Sequence, residues 1–260
     1  MSRRNGNPAA ATFRAGALMA LPSILRDLGY APESILRSAG LEPGPFDDPD
    51  IRIPFVAGGK LLAACVAATG CEHIGLLAGS HVGPSTLGLA GFILRNAPDV
   101  GAALGDLVRH LDLHDQGAVV TLDTSSRTSR LGYVIIEPSI EAADQIYDVS
   151  IAAGCNIMRS LCGRDWNPSE VLLSRRRPRD PAPWVRHFRA PIRFDAGQSA
   201  IDFPSHWLEH RLPSADSMLH QHLVAEADAL HLRNDDGPVG DVRRLVHSSM
   251  ARGGNARQTA

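Results

Sequence analysis

The sequence predicts an α+β fold in which a helical N-terminal part packs on a small antiparallel or mixed sheet of about five strands. Three observations predict it. Between residues 18 and 113, apolar residues recur at spacings of three and four, as in amphipathic helices. From residue 118 onward, short runs rich in β-branched and aromatic residues stand between turn residues, as strands do. One long helical pattern interrupts them, so the order is helices, two strands, a long helix, three strands and a connecting helix.

Glycine and proline mark the ends of the predicted helices in the first part of the chain. Gly29 and Gly40 close the first two helices, and Pro32 and Pro98 suit first turns. The glycines between residues 70 and 91 are spaced too loosely for a nucleotide-binding loop. The predicted helices cover residues 18–28, 32–39, 55–69, 86–96 and 98–113.

Two hairpins are predicted in the second part of the chain. The first joins residues 118–122 and 131–136 through a long polar loop, and the second joins 192–194 to 200–203 through a turn at 196–198. Between them the sequence predicts a helix over 140–161 that Gly163 caps, a third strand over 169–173 and a short helix over 184–188.

Composition and charge exclude several classes of protein. The 260 residues contain 26 Lys and Arg against 28 Asp and Glu, so no overall basic field attracts the chain to nucleic acid. No apolar stretch reaches the roughly 20 residues that cross a bilayer, and the N-terminus lacks the apolar centre of a secretory signal. We therefore expect a cytoplasmic protein without a membrane partner.

The most specific catalytic pattern is H-x-x-E-H, formed by His206, Glu209 and His210. On a helix, two histidines four residues apart can share a zinc ion, and the glutamate can polarise its water. A metal-dependent hydrolase is therefore one alternative, but the segment is short and no further acidic ligand is evident. We expect an exposed polar helix end, no metal, no cofactor and no catalysis, and we expect the arginines of 175–179 to lie in a solvated loop.

The absence of a catalytic signature and the turn-rich linker after residue 233 are typical of a ligand sensor followed by a second module. Polar and aromatic groups on otherwise apolar segments near the sheet are the candidate effector-binding residues: Phe92, Arg95, His110, Tyr133 and Asn156. The helix over 214–232 carries an apolar stripe that is a candidate dimerisation surface, although it could instead pack on its own domain: Leu219, Leu223, Ala227 and Leu230.

Several short motifs, in a fixed order over roughly residues 15 to 235, resemble one branch of the AraC family of transcriptional regulators. The branch carries the arabinose-binding-type effector domain of ornithine-utilisation-like regulators. The motifs are LRDLG (25–29), SAGL (38–41), DPDIRIP (48–54), GLLAG (75–79), GLAG (88–91), RDWNP (164–168), FRAPIRF (188–194) and PSAD (213–216).

The resemblance implies a flexible N-terminus over 1–14, an effector-sensing domain over 15–213 and a linker or dimerisation helix over 214–233. It implies that 234–260 are a linker and the incomplete start of a helix-turn-helix domain, so that promoter DNA is bound through residues absent from this chain. Arginines of this last segment are candidates for contacts with the DNA backbone: Arg243, Arg244, Arg252 and Arg257.

The resemblance implies that the protein controls transcription as a homodimer. Binding of a small effector would shift the population between two arrangements of the sensor domain. Amino acids, other small organic acids and lipids are the effector classes expected for this branch. A second alternative is a DNA-free dominant-negative partner that pairs with a full-length regulator.

Overall fold

The computed structural model describes residues 10–42 and 44–234. The strands are β1 (Thr12–Arg14), β2 (Arg52–Pro54), β3 (Ala118–Asp123), β4 (Thr128–Ile135), β5 (Glu170–Leu172), β6 (Ile192–Arg193) and β7 (Ser199–Pro204). The α-helices are α1 (Leu21–Asp27), α2 (Pro32–Ser38), α3 (Phe55–Thr69), α4 (Ile74–Ser80), α5 (Leu89–Asn96), α6 (Val100–His110), α7 (Ala143–Cys162), α8 (Ala182–Phe188) and α9 (Ser217–Asn234). The predicted α+β class is confirmed.

The main sheet has five strands in the order β3-β4-β7-β5-β6, and only the β5–β6 pair is parallel. The predicted hairpin between residues 192–194 and 200–203 is wrong, because β7 pairs with β4 and β5, and β6 pairs only with β5. Every residue of β7 from Ser199 to Phe203 is buried, as expected for a central strand covered on both faces. The two-residue β6 lies at the edge instead.

The hairpin of β3 and β4 is confirmed, but its loop is shorter than predicted. Asp123 pairs with Arg130, so the strands extend into the segment expected to be loop. Arg130 donates two hydrogen bonds, of 2.6 and 2.7 Å, to the carboxylate of Asp202 on β7. This cross-strand ion pair explains why polar residues continue the strand.

Residues 12–14, near the start of the described chain, form a strand. Thr12–Arg14 pairs antiparallel with Arg52–Pro54, so that Phe13 lies opposite Ile53. The ring of Phe13 is buried and packs edge-on against Phe55. The prediction of a flexible segment over 1–14 is therefore wrong for residues 12–14, because burial of the phenylalanine holds this strand in place.

The glycine-rich stretch after residue 70 contains a helix that was not predicted, α4. Gly75 and Gly79 face the backbone of α7, and a Cβ on Gly79 would lie 2.5 Å from the carbonyl oxygen of Val149. These glycines let two helices approach closely, and α4 has only 7 residues, too few for a helical periodicity to be recognised in the sequence. The long helix α7 in turn packs across β4 and β7.

No individual helix in the described ranges is both long and apolar enough to cross a membrane. The helices α3 and α4 meet those criteria only as a pair, and they are bent by 119° at the break between them.

Candidate functional site

An apolar cavity of about 110 Å³ lies between the main sheet and the helices. Helices α3, α6 and α7 and strands β3, β4 and β7 supply most of its wall, and the 3-10 helix over 111–113 continues α6 along it. Apolar side chains from these elements include Leu62, Leu107, Val120, Leu131, Ile157 and Ile201. An apolar cavity of this order accepts a molecule about the size of benzene.

A small group of polar side chains interrupts this apolar wall. The Tyr133 hydroxyl donates a 2.5 Å hydrogen bond to Asp115, and the backbone N–H of Gly117 donates to the same carboxylate over 2.8 Å. Burial raises the pKa of Tyr133 well above its ordinary value, and the nearby Asp115 charge adds a smaller effect in the same direction. Burial lowers the pKa of His114 to about 3, so this imidazole is uncharged at neutral pH.

Gly154 of α7 lines the cavity, and the space where its side chain would stand is open. A Cβ on Gly154 would make one ordinary contact, 3.7 Å from Cδ1 of Ile201. Gly58 of α3 differs, because a Cβ there would lie 2.6 Å from the ring of Phe13. A side chain added at Gly154 therefore extends into the cavity.

Only Tyr133 among the predicted effector-binding residues lines the cavity. The amide of Asn156 donates to the carbonyls of Gly79, Ser80 and Val82, so it joins α7 to the end of α4. Phe92 and Arg95 are exposed on α5, and Phe92 retains 57% of its accessible surface. His110 is buried at the end of α6, where its ring stacks on His231 of α9.

Sequence reasoning missed His114 and Asp115, which belong to a polar run between α6 and β3. The only signal is that two ionisable residues stand shortly before an apolar strand, separated from it by Gln116 and Gly117. That signal does not separate a cavity wall from a surface turn.

The predicted apolar stripe of α9 is partly covered by its own domain. Ala227 is fully buried, Leu223 and Leu230 are half-buried, and α9 packs against α5. Leu219 remains 42% exposed, and its neighbour Met218 remains 84% exposed.

Two histidine–carboxylate contacts join α9 to the other side of α6 and its 3-10 extension. His220 Nε2 lies 2.7 Å from Asp106 Oδ2, and His231 Nε2 lies 2.9 Å from Asp112 Oδ1. On one face of α6 and its 3-10 extension, Leu107 and Leu111 therefore contact the cavity. On another face, Asp106 and Asp112 bind the histidines of α9.

The H-x-x-E-H pattern lies on a 3-10 helix, Ser205–Glu209, with His210 just beyond it. In a 3-10 helix, residues three apart are aligned, so His206 and His210 do not project from one face as they would in an α-helix. Within the described ranges, the one group of three potential metal ligands that lie close together is formed by His110, Asp228 and His231 instead.

The arginine cluster is not fully solvated as expected, because the side chain of Arg175 is only 7% exposed. Its guanidinium forms an ion pair with Asp148 of α7 and lies 4.5 Å above the ring of Trp184. Burial raises the pKa of Asp148 to about 7, although Arg175 opposes the shift. Arg175 therefore joins the loop after β5 to α7.

The four arginines proposed to contact DNA lie outside the described residues.

Comparisons with known proteins point to one family. Residues 29–212 match the family described as the arabinose-binding domain of AraC transcription regulators, N-terminal. The chain is 29% identical over 153 residues to the HTH-type transcriptional regulator VirS of Mycobacterium tuberculosis, in both strain CDC 1551 / Oshkosh and strain H37Rv. That alignment covers 58% of this chain and 45% of VirS, so it spans less than half the length of this relative.

A solved structure shares the fold. The crystal structure of the transcriptional regulator CdpR from Pseudomonas aeruginosa matches with a TM-score of 0.56 at 19% identity. The match covers 85% of this chain and 69% of that one.

Proposed function

The chain belongs to the family of N-terminal arabinose-binding domains of AraC transcription regulators, and we propose that its cavity binds a small, uncharged, largely apolar effector. Because the family and the VirS relative are transcription regulators, the expectation that the chain is not an enzyme is confirmed. The observation that carries the proposal is the apolar cavity with one polar corner between the sheet and the helices.

The charges of the cavity favour an uncharged effector over an organic acid. Among the described residues, no lysine or arginine lines it, and its one carboxylate belongs to Asp115. The neutral His114 supplies no positive charge. Arg14 and Arg52 lie near His114, but neither lines the cavity. Burying an effector carboxylate beside the Asp115 charge, without a cation in the cavity wall, would carry a large desolvation cost. An effector hydroxyl or amide N–H near Tyr133 and Asp115 would instead find hydrogen-bonding groups.

The proposed signal passes through α6. The cavity contacts Leu107 and Leu111 on one face of this element, and Asp106 and Asp112 hold α9 on another. An effector that prefers one position of α6 would therefore bias the position of α9. A difference of about 1–3 kcal/mol between two arrangements suffices for such a population shift.

Dimerisation is the second part of the proposal, through the exposed end of α9. Ala227 is already buried in its own domain, so the apolar surface left for a partner subunit includes Met218 and Leu219. Phe92 on the adjoining helix α5 is also exposed and would extend this surface. Contact with promoter DNA through a helix-turn-helix domain is the third part of the proposal, and the relative VirS is named an HTH-type transcriptional regulator.

Thermal unfolding with two matched probes tests the effector proposal. Benzyl alcohol and benzoate have similar shapes, but only benzoate carries a charge at neutral pH. We expect benzyl alcohol to raise the Tm and benzoate to leave it unchanged. A ligand at 100 times its Kd stabilises by about 2.7 kcal/mol.

A pair of substitutions at one position provides the control. Gly154→Leu should fill the cavity and abolish the effect of benzyl alcohol, whereas Gly154→Ala adds one methyl group and should retain it. Equal stabilisation by benzoate, no stabilisation by benzyl alcohol, or an undiminished response in Gly154→Leu would each contradict the proposal.

A further inference from the structure

Three potential metal ligands meet between the end of α6 and the second half of α9. They are His110, Asp228 and His231, whose ligand atoms all lie within 4.8 Å of one another. Asp228 and His231 are three residues apart on α9, so they lie on the same side of that helix. His110 reaches them from α6.

His110 is the unusual member of this group, because it is a buried polar side chain without a hydrogen bond. Its relative accessibility is 0%, and neither ring nitrogen has a hydrogen-bond partner. Its nearest carboxylate oxygen, Oδ1 of Asp228, is 3.9 Å from Nε2, which is too long for a hydrogen bond. A buried imidazole without a hydrogen bond, next to a carboxylate and a second histidine, matches what a metal requires of a histidine ligand.

A carboxylate behind His231 provides the outer layer that histidine metal ligands usually have. Nε2 of His231 lies 2.9 Å from Oδ1 of Asp112, next to the end of α6. A histidine that donates one ring N–H to a carboxylate has its tautomer fixed, which leaves the other nitrogen for coordination.

We propose that His110, Asp228 and His231 bind one divalent transition-metal ion such as zinc, with water in the remaining position. Two imidazoles and a carboxylate form a common zinc ligand set. The metal would link α6 to α9 across the same interface that the proposed effector signal uses, although the site does not depend on the effector. Its occupancy would strengthen the attachment of α9 to the domain.

Coordination requires a local rearrangement. Metal–ligand bonds of about 2.0–2.2 Å place the ligand atoms of a tetrahedral site roughly 3.3 Å apart, so the group must contract. The rings of His110 and His231 are now stacked, with centroids 5.1 Å apart and planes inclined by 17°. Lone pairs of nearly parallel rings do not converge on one point, so His231 has to turn out of the stack. Its partial exposure near the helix surface leaves room for this movement.

Cobalt and zinc titrations of the full chain, stripped of metal and free of any polyhistidine tag, test the site. We expect Co²⁺ to produce visible absorption bands of a four-coordinate site that saturate at one equivalent per chain. Zinc should displace the cobalt and raise the Tm. Absence of bands together with an unchanged Tm would overturn the proposal.

Matched variants identify the ligands. His110→Phe and Asp228→Asn should each remove the one-equivalent binding, and Asp112→Asn should weaken it by about 10- to 100-fold. His222→Gln changes an exposed histidine of the same helix and should leave the titration unchanged. If His110→Phe does not fold, Asp228→Asn still decides, because the Asp228 side chain is 55% exposed. Saturation at one equivalent that survives in Asp228→Asn would overturn the assignment.

Discussion

The backbone N–H of Gly75 on α4 donates a 2.9 Å hydrogen bond to Oε1 of Gln145 on α7, and a Cβ on Gly75 would overlap the Gln145 backbone. The same glutamine donates from Nε2 to the carbonyl of Glu72 over 2.9 Å. One buried amide therefore joins the two helices at the point where a glycine allows them to meet.

We predict that Gly75→Ala destabilises the domain by about 1–3 kcal/mol, because the added methyl group forces α4 away from α7. Gly105→Ala is the matched control. Gly105 is exposed within α6, and a Cβ there would meet nothing within 4 Å. The free energy of unfolding of the control should rise by roughly 0.5–1 kcal/mol, because alanine favours a helix more than glycine does. Urea unfolding monitored by circular dichroism measures both, and a Gly75→Ala protein as stable as wild type would contradict the packing argument.

Tyr133→Phe tests the polar corner of the cavity. The substitution removes the hydroxyl that donates to Asp115 and leaves a buried carboxylate with one hydrogen bond fewer. We expect a loss of about 1–3 kcal/mol in the free energy of unfolding. Tyr30→Phe, at a tyrosine that is 39% exposed, should change it by less than about 0.5 kcal/mol. Equal effects of the two variants would show that the Tyr133 hydroxyl is not needed for stability.

His114 should make the domain sensitive to mild acid. Its pKa is lowered from 6.5 to about 3 because burial disfavours the charged form. The unfolded chain therefore binds a proton before the folded chain does, and stability present above pH 6.5 falls as the pH decreases toward 3. Between pH 7 and pH 5 this one group should lower the free energy of unfolding by about 2 kcal/mol.

His114→Leu removes this dependence, so the difference in stability between pH 7 and pH 5 should be smaller in the variant than in wild type. His206→Leu, at an exposed histidine, serves as the control and should retain the wild-type difference. Urea titrations at the two pH values give the comparison. The same acid sensitivity in His114→Leu as in wild type would exclude His114 as its source.

The proposed dimer surface predicts that Leu219→Glu yields a monomer. Leu219 is 42% exposed, so a charge there should disrupt a subunit contact while leaving the fold intact. Val185→Glu is the control, because Val185 is 51% exposed on the separate helix α8. Light scattering at tens of micromolar should show a dimer for wild type and for the control. A wild-type monomer, or a dimer that persists in Leu219→Glu, would contradict the proposal.

Local patterns in the sequence determined the class of fold and the position of most helices. The apolar periodicity that predicted a helix over 140–161 corresponds to α7, because a helix of 20 residues contains enough turns to show which face is buried. Turn residues likewise located the hairpin of β3 and β4. The short motifs that resemble the AraC branch were enough to identify the family, since each depends on neighbouring residues only.

Tertiary structure decided what depends on residues far apart in the chain. The place of β7 between β4 and β5 follows from pairings such as Ala200 with Gly132 and Leu172, which no local pattern specifies. The helix α4 was not predicted because it has only 7 residues and because Gly75 and Gly79, which approach the backbone of α7, add nothing to an apolar pattern.

The same dependence on contacts between distant residues explains why the predicted site differs from the observed one. Polar residues on apolar segments were easy to find, but periodicity does not say which of them face a shared space. Tyr133 faces the cavity, whereas Asn156 bonds to backbone carbonyls and His110 meets Asp228 and His231, more than 100 positions later. Patterns along the chain determine which face of a segment is buried, and only the packing of distant segments decides which buried polar groups meet.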